Sequence, residues 1–306
     1  MWTSIECAGH PRDMGLAQGR AEREPIREAL SRAGLRVARS RIPSLRALAS
    51  GPIRGAGAGR AFLRHFAHLA ERVEGLAEGA DVPLDSILEL HLRLRAGGEA
   101  AGLYGRRASL RARTVGGGGE GKRVLLERSL PRPVAGEPAW VLRESRPAVG
   151  FHSVEITLPW LATAIAGVNA GGLAVVSGPA LWGEPGREGS PPAGLLAQEC
   201  LQRFGDVAGA SDWCRKRPVE GEQTFVLADA AGAVATVVSH GRTRRIQSGE
   251  GELYLESGEP ATADGNPGAR EARVDRVWLD PVGGRLQLDA ADTAIEVGLR
   301  EAAVPD

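Results

Sequence analysis

Thiols, hydroxyls and imidazoles are the groups in this chain that could attack a carbonyl, and few of them sit in a pattern that would activate them. The three cysteines, Cys7, Cys200 and Cys214, form no Cys-x-x-Cys and no metal-ligand spacing with histidine. No metal site is expected from them, and so sparse and odd a count fits a reducing compartment. Cys200 falls on the apolar face of a helical stretch over 193–217, with Leu195, Leu196, Leu201 and Phe204, while Cys214 follows Trp213. His152 shares a strand face with Val154 and Ile156, where a histidine reads as a satisfied core residue. There is no Gly-x-Ser-x-Gly, no phosphate loop and no His-Glu-x-x-His. The glycines at 116–119 read as a flexible turn rather than a nucleotide cradle, and no cofactor is expected.

The elements that must position any site divide the chain in two. Residues 1–98 read as a helical N-terminal segment and 99–306 as a strand-rich core, forming one integrated domain. Met14 to Arg41 is predicted helical with a break or restart at Pro25. Phe62, Phe66, Leu69, Val73 and Leu76 recur at three- and four-residue steps, which gives one apolar helix face. That helix ends at Gly79 and Pro83, and Leu84 opens another. After a small-residue linker at 96–98, Ser109–Val115 and Lys122–Leu130 form a hairpin. Val154, Ile156 and Leu158 alternate with Ser153, Glu155 and Thr157. Apolar runs at 161–168 and 173–176, then 224–228, 233–238, 243–246 and 252–255, supply further strands. Two packed sheets with outer helices accommodate this order.

Bulk properties bound the function classes. Lys+Arg and Asp+Glu both count 38, so no net field favours nucleic acid or a membrane surface. Eight arginines and no acid lie between Arg32 and Arg64, but aromatic residues do not interleave with them in the pattern of nucleic-acid binders, and a solvated helix face explains them better than a nucleic-acid groove. Thr157 to Gly183 has no charge and the length of a membrane span, yet Pro159, Asn169, Pro179 and several glycines cut it into strand lengths. The start, Met1-Trp2-Thr3-Ser4-Ile5-Glu6, lacks a basic residue followed by an apolar run, so no signal peptide is expected and the location reads as cytoplasmic.

Five segments carry more specific information. They are Met14-Gly15-Leu16-Ala17-Gln18-Gly19; Glu74-Gly75-Leu76-Ala77-Glu78-Gly79-Ala80 with Ile87-Leu88-Glu89-Leu90; Arg128; Gly167-Val168-Asn169-Ala170-Gly171-Gly172-Leu173-Ala174; and Thr224-Phe225-Val226-Leu227-Ala228-Asp229 with Gly232. In order and spacing, over roughly residues 8–278, they resemble the acyl-coenzyme A:aminopenicillanic acid acyltransferase family of N-terminal-nucleophile hydrolases. The resemblance implies an α+β fold, the αββα sandwich of that superfamily, with a helical N-terminal segment.

It also implies a chemistry. A precursor cuts itself and exposes a residue whose side chain is the nucleophile and whose α-amine is the general base. An arginine and an aspartate downstream orient that residue, and asparagine and backbone N–H groups hold the oxyanion. On this sequence the nucleophile position falls at Gly105-Arg106-Arg107-Ala108-Ser109, and no cysteine is there. In one register Ser109 is the nucleophile; in another Arg107 stands in its place. Arg128 matches the family arginine, Ser129 and Pro131 replace its asparagine and aspartate, and Asn169 matches the turn asparagine. Two functions follow as expectations. One is a divergent acyltransferase or linear-amide hydrolase using Ser109, Arg128 and Asn169 on a small-molecule amide or acyl donor. The other is a pseudoenzyme that keeps the fold as a binding or biosynthetic accessory protein. Nothing in the sequence sets an oligomeric state.

Overall fold

The computed structural model describes residues 2–38, 65–93, 107–116, 123–131, 140–178, 194–217, 223–240, 243–258, 274–290 and 293–299. Most of the arginine run, the linker at 96–98 and the glycine turn after Gly116 lie outside the described residues.

Two sheets form the body of the protein. The first has eight strands in the order β1-β4-β5-β6-β7-β8-β9-β10. These are β1 (Thr3–Gly9), β4 (Val141–Pro147), β5 (Ser153–Thr157), β6 (Ala166–Asn169), β7 (Leu173–Gly178), β8 (Gln223–Asp229), β9 (Ala233–His240) and β10 (Thr243–Glu250). The second has six, in the order β11-β2-β3-β12-β13-β14. Its members are β2 (Arg107–Val115), β3 (Arg123–Pro131), β11 (Leu253–Gly258), β12 (Val274–Asp280), β13 (Arg285–Ala290) and β14 (Thr293–Gly298). All pairings are antiparallel except β1 with β4, which is parallel. The sheets face each other, with β2 and β3 against β7 and β8, and β12 and β13 against β5 and β6.

Period-two alternation explains why they face. Ala108, Leu110 and Ala112 of β2, and Val124, Leu126 and Leu130 of β3, are buried and point inward. Arg111 and Arg113 point outward, where their guanidinium groups lie over the rings of Tyr254 and Trp278. The helices are α1 (Pro11–Ala21), α2 (Arg23–Arg32), α3 (Ala67–Ala80), α4 (Leu84–Arg93), α5 (Leu195–Arg203) and α6 (Val207–Lys216). They pack on the eight-stranded sheet or on one another. The architecture is α+β, and the described residues form a helical layer and both sheets of the αββα sandwich that the sequence led us to expect.

Some readings of the sequence change: the helix expected over Met14–Arg41 stops at Arg32, and His152 lies just before β5 rather than in it. Thr3–Gly9, within the segment read as helical, is a strand built into the first sheet beside β4. Of the apolar run at 161–168 only Ala166 onward is strand. The carbonyl of Leu161 instead accepts from Gln18, Arg143 and the Thr157 hydroxyl, and that of Thr163 also accepts from Thr157. Side chains thus satisfy backbone groups that would otherwise need a neighbouring strand. Among the described residues no helix is long and apolar enough to cross a membrane.

The first two family-like segments prove to be a helix–helix seam. Gly15 and Gly19 of α1 meet Gly75 and Gly79 of α3 with almost no space between the backbones. A β-carbon on Gly15 would stand 1.9 Å from the Arg72 carbonyl oxygen, and one on Gly75 would stand 2.0 Å from that of Arg12. Glycine at a four-residue spacing on both helices is what lets them touch along this line. Pro25 sits in the first turn of α2, where a missing N–H costs nothing.

Candidate functional site

The three residues singled out by the resemblance do not converge. In the β2–β3 register Leu110 lies opposite Arg128 and Arg111 opposite Glu127. Arg128 therefore shares the inward face with Leu110 and is fully buried between the sheets. Ser109, one residue out of phase, belongs to the outward face, where its backbone N–H donates to the Ser129 hydroxyl at 2.8 Å. A one-residue offset in a strand sends the two side chains to opposite sides of the sheet. Ser109 and Arg128 thus face different surroundings. The described inner face does offer Arg128 a carboxylate on its own side: Asp275, 3% exposed, lies on β12 opposite Leu130, diagonal to Arg128.

Asn169 is placed elsewhere again. Its amide nitrogen donates to the carbonyls of Leu201 (2.6 Å) and Phe204 (2.8 Å) at the end of α5, and its amide oxygen accepts from Leu173 N–H at 2.9 Å. All of its polar capacity but one lone pair is spent on backbone, and it points toward the helical layer. It ties the β6–β7 turn to α5. The surrounding glycines serve the same joint: a β-carbon on Gly167 would meet Leu201 at 2.8 Å, and one on Gly171 would meet Phe151 at the same distance. Asp229 acts likewise, its carboxylate accepting from Ala231 and Ala233 in the β8–β9 turn and from Val207 at the start of α6.

The densest polar chemistry among the described residues lies under the helical layer, at positions that sequence reasoning did not single out. Glu155 of β5 is fully buried and accepts four side-chain hydrogen bonds: Arg143 Nε at 2.7 Å, Ser153 Oγ at 2.7 Å, Ser145 Oγ at 3.1 Å and Gln198 Nε2 at 3.2 Å. Arg143 also donates to Gln18 Oε1 (2.8 Å), and Gln18 donates in turn to the carbonyls of Pro159 and Leu161. Arg72 of α3 joins through Nη2, which donates to Ser145 Oγ at 3.2 Å. Gln18 is the polar residue of the first family-like segment, and here it is a strut between α1 and the 158–161 turn.

Burial pushes the Glu155 carboxyl up, but Arg143, Arg72 and the Ser153 hydrogen bond outweigh it and bring it down to about 2. Burial, reinforced by Arg143 and opposed by Glu155, lowers Arg72 to about 10, so it stays charged at neutral pH. The cluster holds two guanidinium groups and one carboxylate. Cys7 adjoins it, and its thiol is raised by burial against the pull of the two arginines. Cys200 is raised well above its ordinary value by burial and by Cys214, whose sulfur lies 3.4 Å away. Thiolate is the attacking form, so burial holds Cys7 and Cys200 as inert thiols.

A clue to this cluster was present in the sequence. Arg72 interrupts the apolar face of Leu69, Val73 and Leu76, and Ser153, Glu155 and Thr157 alternate on β5. Alternation of this kind ordinarily marks a strand with one solvated face. Helices cover it, so β5 is buried on both sides.

His91 marks a second buried polar group. Its Nδ1 donates to the Ile87 carbonyl at 2.9 Å and its Nε2 accepts from Ala162 N–H at 3.2 Å, which fixes one neutral tautomer against the edge of Trp160. Burial lowers its pKa from 6.5 to about 4, partly offset by the Ile87 bond. The unfolded chain takes up this proton first, so the contribution of His91 is complete above pH about 6.5 and is lost as pH falls through about 4, at a cost of roughly 3 kcal/mol. The urea midpoint is expected to fall between pH 7 and 4.5 in the wild type and to fall less in His91→Gln. An equal fall in both would assign the acid sensitivity to other groups.

No family profile matches this sequence, and no curated protein matches it. Among solved structures the chain is similar to penicillin V acylase from Agrobacterium tumefaciens, at 15% identity and a TM-score of 0.44, over 63% of this chain and 86% of that one. It is also similar to the Caenorhabditis elegans N-acylethanolamine-hydrolyzing acid amidase ortholog, at 9% identity and a TM-score of 0.39, over 57% and 93%. Neither likeness identifies a reacting side chain.

Proposed function

We propose that this protein keeps the architecture of an N-terminal-nucleophile hydrolase without its reaction, and acts as a binding or biosynthetic accessory protein for small amide or acyl compounds. The observation that carries this reading is the placement of Ser109 and Arg128 on opposite faces of the β2–β3 hairpin. An orienting arginine on the far side of a sheet cannot polarise the hydroxyl it is meant to serve. The capture of Asn169 by α5 and its own turn supports the same reading, because its N–H donors are no longer free for an oxyanion.

One observation favours a second reading, an active acyltransferase or amide hydrolase. Arg128 and Asp275 set a cation and an anion on one inner face, as an arginine–aspartate pair would in such an enzyme, and a residue at 105–109 would have to turn toward them after cleavage. Intact mass separates the two. The binding-protein reading expects a single uncut species of 32.1 kDa for wild type and for Ser109→Ala. Two fragments joining to that mass, with the second beginning at 105–109, would replace it with the enzyme reading.

A further inference from the structure

A cleft of about 290 Å³ opens on the helical side of the eight-stranded sheet, away from Arg128 and the space between the sheets. Its buried lining includes Met14, Leu69 and Arg72, and its lip includes Val149, 88% exposed, in the turn after β4. Its volume sits at the small end for organic-ligand sites.

The contents of that lining are unusual. Arg72 is 1% exposed, and its Nε and Nη1 have no hydrogen-bond partner among the described residues. Its one oxygen partner is Ser145 Oγ, on Nη2. Cys7 adjoins it, but a thiol is a poor acceptor and does not satisfy a guanidinium. The nearby carboxylates are committed to others. Glu155 is held by Arg143, two serines and Gln198. Glu199, also fully buried, pairs with His68 and Arg203, which both line the cleft. Arg72, Arg143 and Arg203 stand against Glu155 and Glu199, which leaves one positive charge in excess beside an apolar cavity. A buried cation lacking acceptors is costly, and an anion supplied from outside is the remedy the geometry allows.

We propose that this cleft binds a small organic carboxylate, with the carboxylate accepting from Arg72 and the apolar body lying against Met14 and Leu69. The apolar lining argues against inorganic anions, which would leave Met14 and Leu69 facing water. This site is separate from the inter-sheet space and stands whether or not the chain cleaves itself.

Titration calorimetry in low-salt buffer at pH 7.5 tests this with hexanoate and benzoate, with hexanamide and inorganic phosphate as controls. Saturable one-to-one binding of a carboxylate is expected, with hexanamide and phosphate weaker by about tenfold or more, the worth of one charged hydrogen bond. Arg72→Gln is expected to reduce carboxylate binding by a similar factor. Val149→Trp changes only the exposed lip and is expected to block access while circular dichroism stays that of the wild type, so the test survives if Arg72→Gln fails to fold. Equal binding of hexanoate and hexanamide would show an apolar cleft with no anion site and overturn the proposal. Phosphate binding as well as the carboxylates, carboxylate binding untouched by Val149→Trp, or no binding of either carboxylate up to about 10 mM would each overturn it too.

Discussion

Glu155→Gln is expected to destabilise the protein by about 3–5 kcal/mol, enough to consume much of the stability of an ordinary domain. The substitution keeps size and an acceptor oxygen but removes the carboxylate that, among the described residues, neutralises Arg143 and Arg72. Two guanidinium groups, both almost wholly buried, would then stand together without that carboxylate. The loss should be partly recoverable. Arg143→Met made together with Glu155→Gln removes both members of the closest pair, and urea denaturation of the four proteins should show a coupling of more than about 1 kcal/mol. Simple addition of the two single effects would mean that the pair is not the unit of stability. The acid dependence has a definite direction. The folded Glu155 value, about 2, lies below the ordinary 4.5, so its contribution is complete above pH 4.5 and is lost as pH falls toward 2. That window lies below the one His91 controls, and the two are separable in one pH series.

Gly75→Ala is expected to be at least as damaging, although it adds a single methyl group. The new β-carbon would lie 2.0 Å from the carbonyl oxygen of Arg12 and 2.9 Å from Leu16 nitrogen. These are backbone atoms, so no rotamer change relieves the overlap and α1 must move away from α3. That motion pulls Gln18 from the 158–161 turn and Arg72 from Ser145. A loss of about 3 kcal/mol or more is expected, in the range of severe overpacking. Gly34→Ala is the control: it has positive φ and open space around it, and only the smaller backbone penalty of about 1 kcal/mol is expected there. A melting temperature for Gly75→Ala within a few degrees of wild type would show that the helix seam is softer than its geometry.

The layers of this fold were legible in its residues because periodicity follows burial. The alternation of β2 and β3, the three- and four-residue steps of α3, and the helical stretch at 193–217, which holds α5 and α6, all appear where the pattern placed them. Thr3–Gly9 was missed because its apolar residues are few and its partner lies far along the chain. The family-like segments were read for chemistry, and the structure gives several of them a mechanical role instead. Gly15, Gly19, Gly75 and Gly79 join two helices, Asn169 and Asp229 fasten turns to helices, and Gln18 braces a loop. A motif records that a residue type is needed and does not say whether reaction or close approach needs it. The Arg72–Arg143–Glu155 cluster was hidden for a different reason. A charge on one face of a strand looks solvated until the helices that cover that face are in place.

The parallel pairing of β1 with β4 has a consequence for synthesis. Every other neighbouring pair in the first sheet is antiparallel, and β1 alone must wait for a partner that begins at Val141. During translation the first strand leaves the ribosome long before its seat exists, and the helices after it emerge while it is still unpaired. Loop closure over such a separation is slow and comes late. The nascent chain therefore carries β1 unpaired until β4 has emerged, so this strand settles after the helices that follow it rather than before them.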